Sequence, residues 1–130
     1  MPRFSERSKQ RLSTCRQELQ DLFSEVIKEF DCTIICGHRA EPEQTEAFKA
    51  GFSKAEWPNG KHNSKPSNAV DVLPCPIIYA DTDRMYYFAG YVRGVASKMG
   101  IKIRWGGNWD GDTEVRDQTF NDLGHFEVAV

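Results

Sequence analysis

A chain of 130 residues has the length of one domain around one hydrophobic core, and we expect a single domain over residues 1–130. Its hydrophobic fraction of 39% and charged fraction of 28% are typical of a globular protein and argue against a disordered one. The formal net charge is -2, with both signs interspersed along the chain, so we expect no nucleic-acid partner.

Apolar residues are too scattered to form a membrane-spanning or secretory segment. No run of about 18 apolar residues occurs, so we do not expect a membrane-embedded protein. The first residues lack the apolar stretch of a signal peptide, and we expect synthesis in the cytoplasm. We also expect a monomer whose cysteines, made in a reducing compartment, are free thiols. These cysteines are Cys15, Cys32, Cys36 and Cys75.

The first half of the chain predicts two helices and a short strand. Within residues 8–30, apolar side chains recur every three or four positions, as on one face of an amphipathic helix. Residues 33–36 form a short apolar segment typical of a buried strand. Pro42 suits the first turn of a second helix, which runs through Phe48 and stops at Gly51.

The second half begins with a long loop. Residues 52–68 have no consistent hydrophobic period, and ordered loops of this length are often functional. The elements expected after it are a strand at 69–73, a helix at 82–99 capped by Thr82 and stopped by Gly100, a strand at 101–105, a Gly/Asn/Asp-rich loop at 106–112 and a strand at 125–130. This order predicts an α+β domain with a small, mainly antiparallel sheet packed against helices.

Polar side chains share one face of two predicted strands. Because side chains alternate along a strand, Asp71 points away from its valine neighbours, and His125 and Glu127 point away from Phe126. If the apolar faces pack on the helices, these three polar residues line the open face of the sheet. His62 lies in the long loop just before the first of these strands. Two imidazoles and a carboxylate suit Zn²⁺ and leave a fourth position for water, so we predict a catalytic zinc site at His62, Asp71 and His125.

A zinc hydrolase also needs a base that is not a metal ligand. Asp122, three residues before His125, is placed to reach a metal-bound water. Negative charge develops on the attacked carbonyl oxygen, and a fixed cation beside the zinc would stabilise it. Arg39, directly after the first strand, is the candidate for that cation.

Each candidate also has a simpler interpretation. A histidine in a polar loop is usually solvated, and Asp71 could instead pair with an arginine or lysine. Arg39 could be a surface residue, and Glu127 either orients a metal ligand or faces solvent. The acidic cluster at 110–114 could hold calcium, but it lacks the full EF-hand pattern, so a solvated turn is preferred. The tryptophans line either a substrate groove or the core; they are Trp57, Trp105 and Trp109.

Four motifs occur in an order that resembles a known family. They are Gly37-His38-Arg39 with Glu43-Gln44, His62 with Ala69-Val70-Asp71, Trp105-Gly106-Gly107-Asn108-Trp109, and Asp122-Leu123-Gly124-His125-Phe126-Glu127. Together they resemble the zinc D,D-carboxypeptidase and L-alanyl-D-glutamate peptidase superfamily. The likeness covers residues 33–128, and the Trp-Gly-Gly-Asn-Trp segment favours the phage endolysins of L-alanyl-D-glutamate specificity.

This resemblance implies the same zinc ligands, Asp122 as the catalytic base and Arg39 as an anchor for the substrate or the transition state. It implies hydrolysis of the peptide stem of bacterial peptidoglycan, between L-Ala and D-Glu, by an endolysin or wall hydrolase. Such an enzyme acts on the wall after release through a separate membrane-permeabilising partner. One departure concerns the loop: His62 and Asp71 are nine positions apart, against about seven in the family pattern, so the loop should bulge.

Two alternatives stay open at this point. One is a D-Ala-D-Ala carboxypeptidase or dipeptidase on the same scaffold. The other is a non-catalytic cell-wall-binding module with a structural zinc or none. The metal site would distinguish the second, because a catalytic zinc keeps an exchangeable water whereas a structural zinc is closed by a fourth protein ligand.

Overall fold

The computed structural model describes residues 2–112, 114–116 and 121–129. Four helices and four strands follow one another in these described residues, which confirms the α+β prediction. Their bounds are α1 Glu6–Leu12, α2 Gln17–Val26, β1 Cys32–Cys36, α3 Glu41–Lys49, β2 Ala69–Pro74, α4 Thr82–Met99, β3 Ile103–Trp105 and β4 His125–Val128. Among these described residues, no helix has the length and apolar character needed to cross a bilayer.

The strands form one antiparallel sheet in the order β1-β2-β4-β3. Because β2 lies between β1 and β4, Asp71 of β2 has Cys36 on one side and His125 on the other. The pairing of β1 with β2 shifts between Ile34 and Cys36, so that Ile35 is an additional residue in β1. Such a bulge re-aims the side chains after it, and here it brings Cys36 beside Asp71.

Helices α2 and α4 cover one face of the sheet and form the core with it. Phe126 of β4 is fully buried and meets Phe23 of α2 and Phe88 of α4 edge to face, with ring centroids 5.5 and 6.1 Å apart. Asp71 and His125 oppose each other across β2 and β4, on the face turned away from this core. The core thereby fixes the strands whose other face carries the polar residues.

The prediction of one helix over residues 8–30 is wrong, because the helix is interrupted between α1 and α2. Ser13 and Thr14 turn their hydroxyls back onto the carbonyls of Gln10 and Arg11, at 2.6 Å each. Such bonds compete with the helical hydrogen bonds. Cys15 then forms a β-bridge with Ser67, held by the Arg16 N–H to the Ser67 carbonyl at 2.9 Å. A local sequence that favours bending and a partner in the long loop together break the helix.

The other boundaries differ only in detail from those predicted. Asp81, not Thr82, caps α4, and its side chain accepts the N–H of Arg84 at 3.2 Å. Gly100 ends that helix with a φ of 73°, as expected for a glycine stop. β3 begins at Ile103 instead of position 101, and the predicted end of β4 at Val130 lies outside the described residues. The loop over residues 52–68 is confirmed.

The Phe126 side chain should be one of the largest contributors to stability. Replacing Phe126 by Ala should lower the free energy of unfolding by about 3–5 kcal/mol, because the surrounding rings can close the cavity only in part. Phe52→Ala is the matched control, since Phe52 is 78% exposed and its loss should change stability by about 0.5 kcal/mol or less. Denaturant unfolding of both variants measures the difference, and equal effects would contradict this packing.

Candidate active site

Cross-strand pairing and one loop bring the predicted metal ligands together. Asp71 and His125 are direct partners across β2 and β4. His62 reaches them from the long loop, which is attached to the end of β1 at two points. The Arg39 N–H donates to the His62 carbonyl at 2.8 Å, and His62 Nδ1 lies 2.8 Å from the Gly37 carbonyl.

The long spacing between His62 and Asp71 is accommodated by backbone hydrogen bonds. The Asn68 N–H donates to the Lys61 carbonyl at 3.0 Å, which closes residues 62–67 into a compact excursion. Ser67, fully buried, is anchored to the α1–α2 connection through the Thr14 carbonyl at 2.9 Å. The predicted bulge of this loop is therefore present, and it leaves His62 beside the sheet.

The partners of the two histidines determine which ring nitrogen faces the site. A carbonyl oxygen can only accept a hydrogen bond, so Nδ1 of His62 carries the hydrogen that Gly37 receives. His125 Nε2 lies 2.8 Å from Glu127 Oε1, and that nitrogen likewise carries the hydrogen. In the neutral rings, the remaining nitrogens, His62 Nε2 and His125 Nδ1, then present lone pairs to the site.

These two nitrogens and one carboxylate oxygen form a nearly equilateral triangle. His62 Nε2 lies 3.3 Å from His125 Nδ1, and Asp71 Oδ1 lies 3.2 and 3.4 Å from the two nitrogens. Asp71 Oδ1 is buried and receives no hydrogen bond from the described part of the chain. Three lone pairs at these distances repel one another unless a cation or added protons lie between them.

A tetrahedral zinc ion matches this triangle. Zinc binds imidazole nitrogen and carboxylate oxygen at about 2.0–2.1 Å, which puts the ligand atoms of a tetrahedron about 3.3 Å apart. The donor set and the unpartnered oxygen of Asp71 are thus suited to hold such an ion. Ligand atoms of Cys36, His62 and Asp71 also lie within 4.8 Å of one another, as do those of Asp71, Asp122 and His125. A metal at this place would have Cys36 and Asp122 close to its protein ligands.

In the protein without metal, protons take the place of the cation. Burial lowers the pKa of His62, but the hydrogen bonds to Asp71 and Cys36 and the charges of these two groups together outweigh it and raise that pKa to about 10. The pKa of His125 is raised in the same way, by Asp71 and then Glu127 against the effect of burial. Burial alone would raise the pKa of Asp71, yet the two histidines hold it well below its usual value.

Asp122 lies at the edge of this group, where a base is expected. Its Oδ2 is 3.9 Å from His125 Nδ1, and burial, followed by the charge of Asp71, raises the pKa of its carboxyl group. The backbone of Asp122 is held by Gly106, whose carbonyl accepts its N–H at 2.9 Å. A Cβ on Gly106 would stand 2.0 Å from the Asp122 carbonyl, so only glycine permits this approach.

Arg39 belongs to a buried polar network on the other side of the triangle. Its guanidinium donates to Gln44 Oε1 at 3.0 Å and approaches Asp71 Oδ2 at 3.4 Å. Gln44 is completely buried on α3, and the Asn63 amide donates to both Gln44 Oε1 and the Arg39 carbonyl, at 3.1 and 3.0 Å. The guanidinium is therefore fixed beside the site and is not a mobile surface group.

Glu127 is buried between His125 and Arg104, which decides between its two interpretations. Its exposed fraction is only 3%, and Arg104 donates to Oε2 at 2.8 Å. Burial raises the pKa of Glu127, but His125 and then Arg104 together outweigh this effect. The pKa is lowered overall, and the carboxylate stays charged. The loop of His62 and the ring of Trp109, 5.4 Å from the His125 ring, border the site on this face of the sheet.

Two cavities meet at this group of residues. The larger, about 640 Å³, is lined by the metal-ligand candidates, Asp122, Arg39 and residues of the loop at 51–61. The smaller, about 290 Å³, lies between β1, the start of α4 and the turn at 121–124. Both are lined by Asp71, Asn121 and Asp122, so these three residues lie at the boundary between the two cavities.

The tryptophans have different roles. Trp105 is buried in the core and donates its indole N–H to the Leu123 carbonyl at 2.8 Å, which supports the turn that carries Asp122. Trp109 lines the larger cavity, whereas Trp57 lines a separate surface depression. In the acidic cluster, Asp110 and Asp112 accept backbone N–H groups within their own turn, and Thr113 lies outside the described residues.

The whole chain was compared with known proteins. The family model for the phage L-alanyl-D-glutamate peptidase matches residues 1–129. The chain belongs to this family. The family expected from the sequence motifs is thereby confirmed.

Among solved structures, the fold is similar to that of the L-Ala D-Glu endopeptidase ChiX of Serratia marcescens, with a TM-score of 0.77. The two chains are 24% identical, and the match covers 98% of this chain and 91% of that chain. The two proteins therefore share a fold. None of the curated proteins matches the chain.

All five residues predicted for the site lie around one point: His62, Asp71, His125, Asp122 and Arg39. Sequence reasoning missed the buried role of Gln44 and the place of Asn63, both of which hold Arg39. It also treated Cys36 only as a free thiol, although this residue lies next to His62 and Asp71. A buried glutamine has no periodic pattern of its own, and the bulge that redirects Cys36 leaves no mark in the sequence.

The histidine pKa values predict how the stability of the metal-free protein depends on pH. The pKa of His62 is raised from 6.5 to about 10, so its contribution is complete below pH 6.5 and is lost as the pH rises through about 10. The free energy of unfolding should therefore fall between pH 6.5 and about 8.5, where thiols of the unfolded chain begin to ionise. Asp71→Asn should remove most of this fall, as measured by denaturant unfolding, and an unchanged slope would contradict the assignment.

Proposed function

We propose that this protein is a zinc-dependent peptidase that cleaves the bond between L-Ala and D-Glu in the peptide stem of peptidoglycan. The observation that carries the proposal is the triangle of lone pairs formed by His62 Nε2, His125 Nδ1 and Asp71 Oδ1. Membership of the L-alanyl-D-glutamate peptidase family supports the reaction and its substrate. The proposal includes one catalytic domain over residues 1–130, acting as a monomer and as an endolysin or wall hydrolase after release from the cytoplasm.

Each of the three ligands is oriented by a hydrogen bond or an ion pair outside the triangle. Gly37 orients His62, Glu127 orients His125, and Arg39 approaches the outer oxygen of Asp71. Such outer contacts fix the tautomer and direction of each ligand. When bound here, zinc would lower the pKa of a coordinated water towards 7 and polarise the scissile carbonyl.

Asp122 is the residue that moves the proton. Its carboxylate accepts a proton from the attacking water and returns it to the leaving amine of the D-Glu residue. The raised pKa of Asp122 suits this exchange, because a carboxylate with a higher pKa holds the proton more readily between the two steps. The fixed backbone of the Gly106–Asp122 contact keeps the carboxylate at the edge of the triangle.

Arg39 supplies the positive charge beside the scissile carbonyl. The network with Gln44 holds the guanidinium in one orientation, so little reorganisation is needed when negative charge develops. The same group can instead bind a carboxylate of the substrate. In either role its charge is largely buried, with 16% of the side chain exposed, which strengthens the interaction.

An endopeptidase is favoured over the carboxypeptidase alternative by the shape of the site. A carboxypeptidase binds the end of a chain and needs a cleft closed at one side. Here Asp71, Asn121 and Asp122 line a cavity on each side, so a substrate can extend both ways from the reacting bond. A wall-binding module would have no use for a base placed like Asp122.

Metal dependence is the first test of this proposal. The purified protein should bind about one zinc per chain, chelation should abolish hydrolysis of peptidoglycan, and added zinc should restore it. His125→Ala should lose the metal, as measured by metal analysis after dialysis. Full hydrolysis by a preparation verified to be metal-free would end the proposal.

The variant Asp122→Asn tests whether Asp122 acts as the catalytic base and not as a metal ligand. The variant should keep its zinc and its fold while turnover falls by about 10²–10⁴, because general-base catalysis is lost and metal binding is not. Asp21→Asn is the matched control, since Asp21 lies on the exposed side of α2 and should leave turnover unchanged. Near-normal turnover in Asp122→Asn would exclude Asp122 as the base.

The bond that is cut can be identified directly. Mass spectrometry of digested peptidoglycan should show stem peptides with a new D-Glu N-terminus and glycan strands that retain L-Ala. Release of free D-Ala without these fragments would favour the carboxypeptidase alternative. Inactivated protein, with His125 replaced by Ala, gives the background for the same analysis.

A further inference from the structure

The two cavities that meet at the site differ in the charge of their linings. The larger cavity contains three cationic side chains, Arg39, Lys54 and Lys61. Its lining also has three carboxylates: Asp71 faces the histidines and Arg39, Glu127 contacts His125 and Arg104, and Asp122 lies 3.9 Å from His125 Nδ1. Lys54 and Lys61, from the loop at 51–61, bring positive charge to the lining of this cavity, and a bound metal would add to it.

The smaller cavity is mainly apolar. Its apolar lining consists of Ile35, Leu73, Tyr79, Met85 and Leu123. None of its described lining residues is Lys or Arg, and its two carboxylates, Asp71 and Asp122, are those shared with the larger cavity. A charged group of the substrate would lose hydration there without gaining an opposite charge.

The bond between L-Ala and D-Glu has a matching asymmetry. The residue on its acyl side ends in a methyl group, whereas the residue on its amine side carries negative charge on its α-carboxylate. We propose that the smaller cavity binds the L-Ala side of the scissile bond and the group attached to it, and that the larger cavity binds the D-Glu side through Lys54 and Lys61. This inference rests on the proposed function. It adds the direction in which the substrate binds and the residues that recognise its negative charge.

The expected size of the effect follows from the exposure of the two lysines. Lys54 and Lys61 both lie at the exposed rim of the cavity. An ion pair at such a position changes binding by about 1.5- to 5-fold and weakens as salt is added. The two lysines together should then give a preference for an acidic substrate of about 2- to 25-fold at low ionic strength.

Two substrates that differ in one charge test the larger cavity. The zinc-loaded protein is given N-acetylmuramoyl-L-Ala-D-Glu and the same compound with D-isoglutamine, in which the α-carboxylate is a carboxamide. Wild type should cleave the acid with the higher kcat/KM. The double variant Lys54→Gln/Lys61→Gln should lose most of this preference. Its kcat/KM for the acid should fall, while its kcat/KM for the amide should not change. Lys98→Gln, an exposed change at the end of α4 outside both cavities, should preserve it.

A second comparison tests the smaller cavity. N-acetyl-L-Ala-D-Glu lacks the sugar and lactyl group on the acyl side, so wild type should cleave it less well than the muramoyl compound. Tyr79 is 69% exposed on a loop, and Tyr79→Ser should reduce this advantage without changing the preference for acid over amide. Tyr79→Ser could instead lose the preference for acid over amide while the lysine variant keeps it. The substrate would then bind in the opposite direction, and the inference would be overturned.

Equal cleavage of the acid and the amide by wild type would also overturn it. The proposed function would survive that result, because both compounds would still be cut between the same residues. Failure of the zinc-loaded wild type to cleave any of the three compounds, or whole peptidoglycan, would instead contradict the proposed function, and this inference with it.

Discussion

Three buried ligand atoms that converge on one point, and that need a cation or protons between them, are the constraint on which the rest of the structure depends. Asp71 lies in the central region of the sheet with His125 as its cross-strand partner, and His62 closes the triangle from the long loop. Such a group is unstable in a neutral, dry environment and is acceptable only with a cation or with protonated histidines. This group is held by the pairing of β2 with β4, by the hydrogen bonds that attach the loop of His62 to the end of β1, and by the outer hydrogen-bond partners of both histidine rings.

Backbone contacts do much of the positioning around this group. Asp122 is held by Gly106, His62 by Gly37 and Arg39, and the turn at residues 122–125 by the indole of Trp105. Backbone groups are set by the path of the chain and cannot rotate away, so they fix angles more firmly than long side chains do. The charged side chains are attached to a backbone whose path these hydrogen bonds help to fix.

Much of the site could be predicted from the sequence because its residues stand at places with a clear local pattern. Asp71, His125 and Glu127 interrupt apolar strands with a period of two, and the order of the motifs supplied His62, Asp122 and Arg39. The break between α1 and α2 could not be predicted, since the apolar period continues through it and the bridge partner, Ser67, is far away along the chain. The bulge at Ile35 and the burial of Gln44 depend likewise on contacts between distant segments.

The central claim is that the triangle of His62, Asp71 and His125 holds one zinc ion. Crystals grown with zinc, measured on both sides of the zinc absorption edge, locate the ion without reference to activity. The account predicts one strong anomalous peak about 2.0–2.2 Å from His62 Nε2, His125 Nδ1 and an oxygen of Asp71. A peak that involves Cys36 in place of His125, or no peak beside Asp71 at saturating zinc, would contradict it.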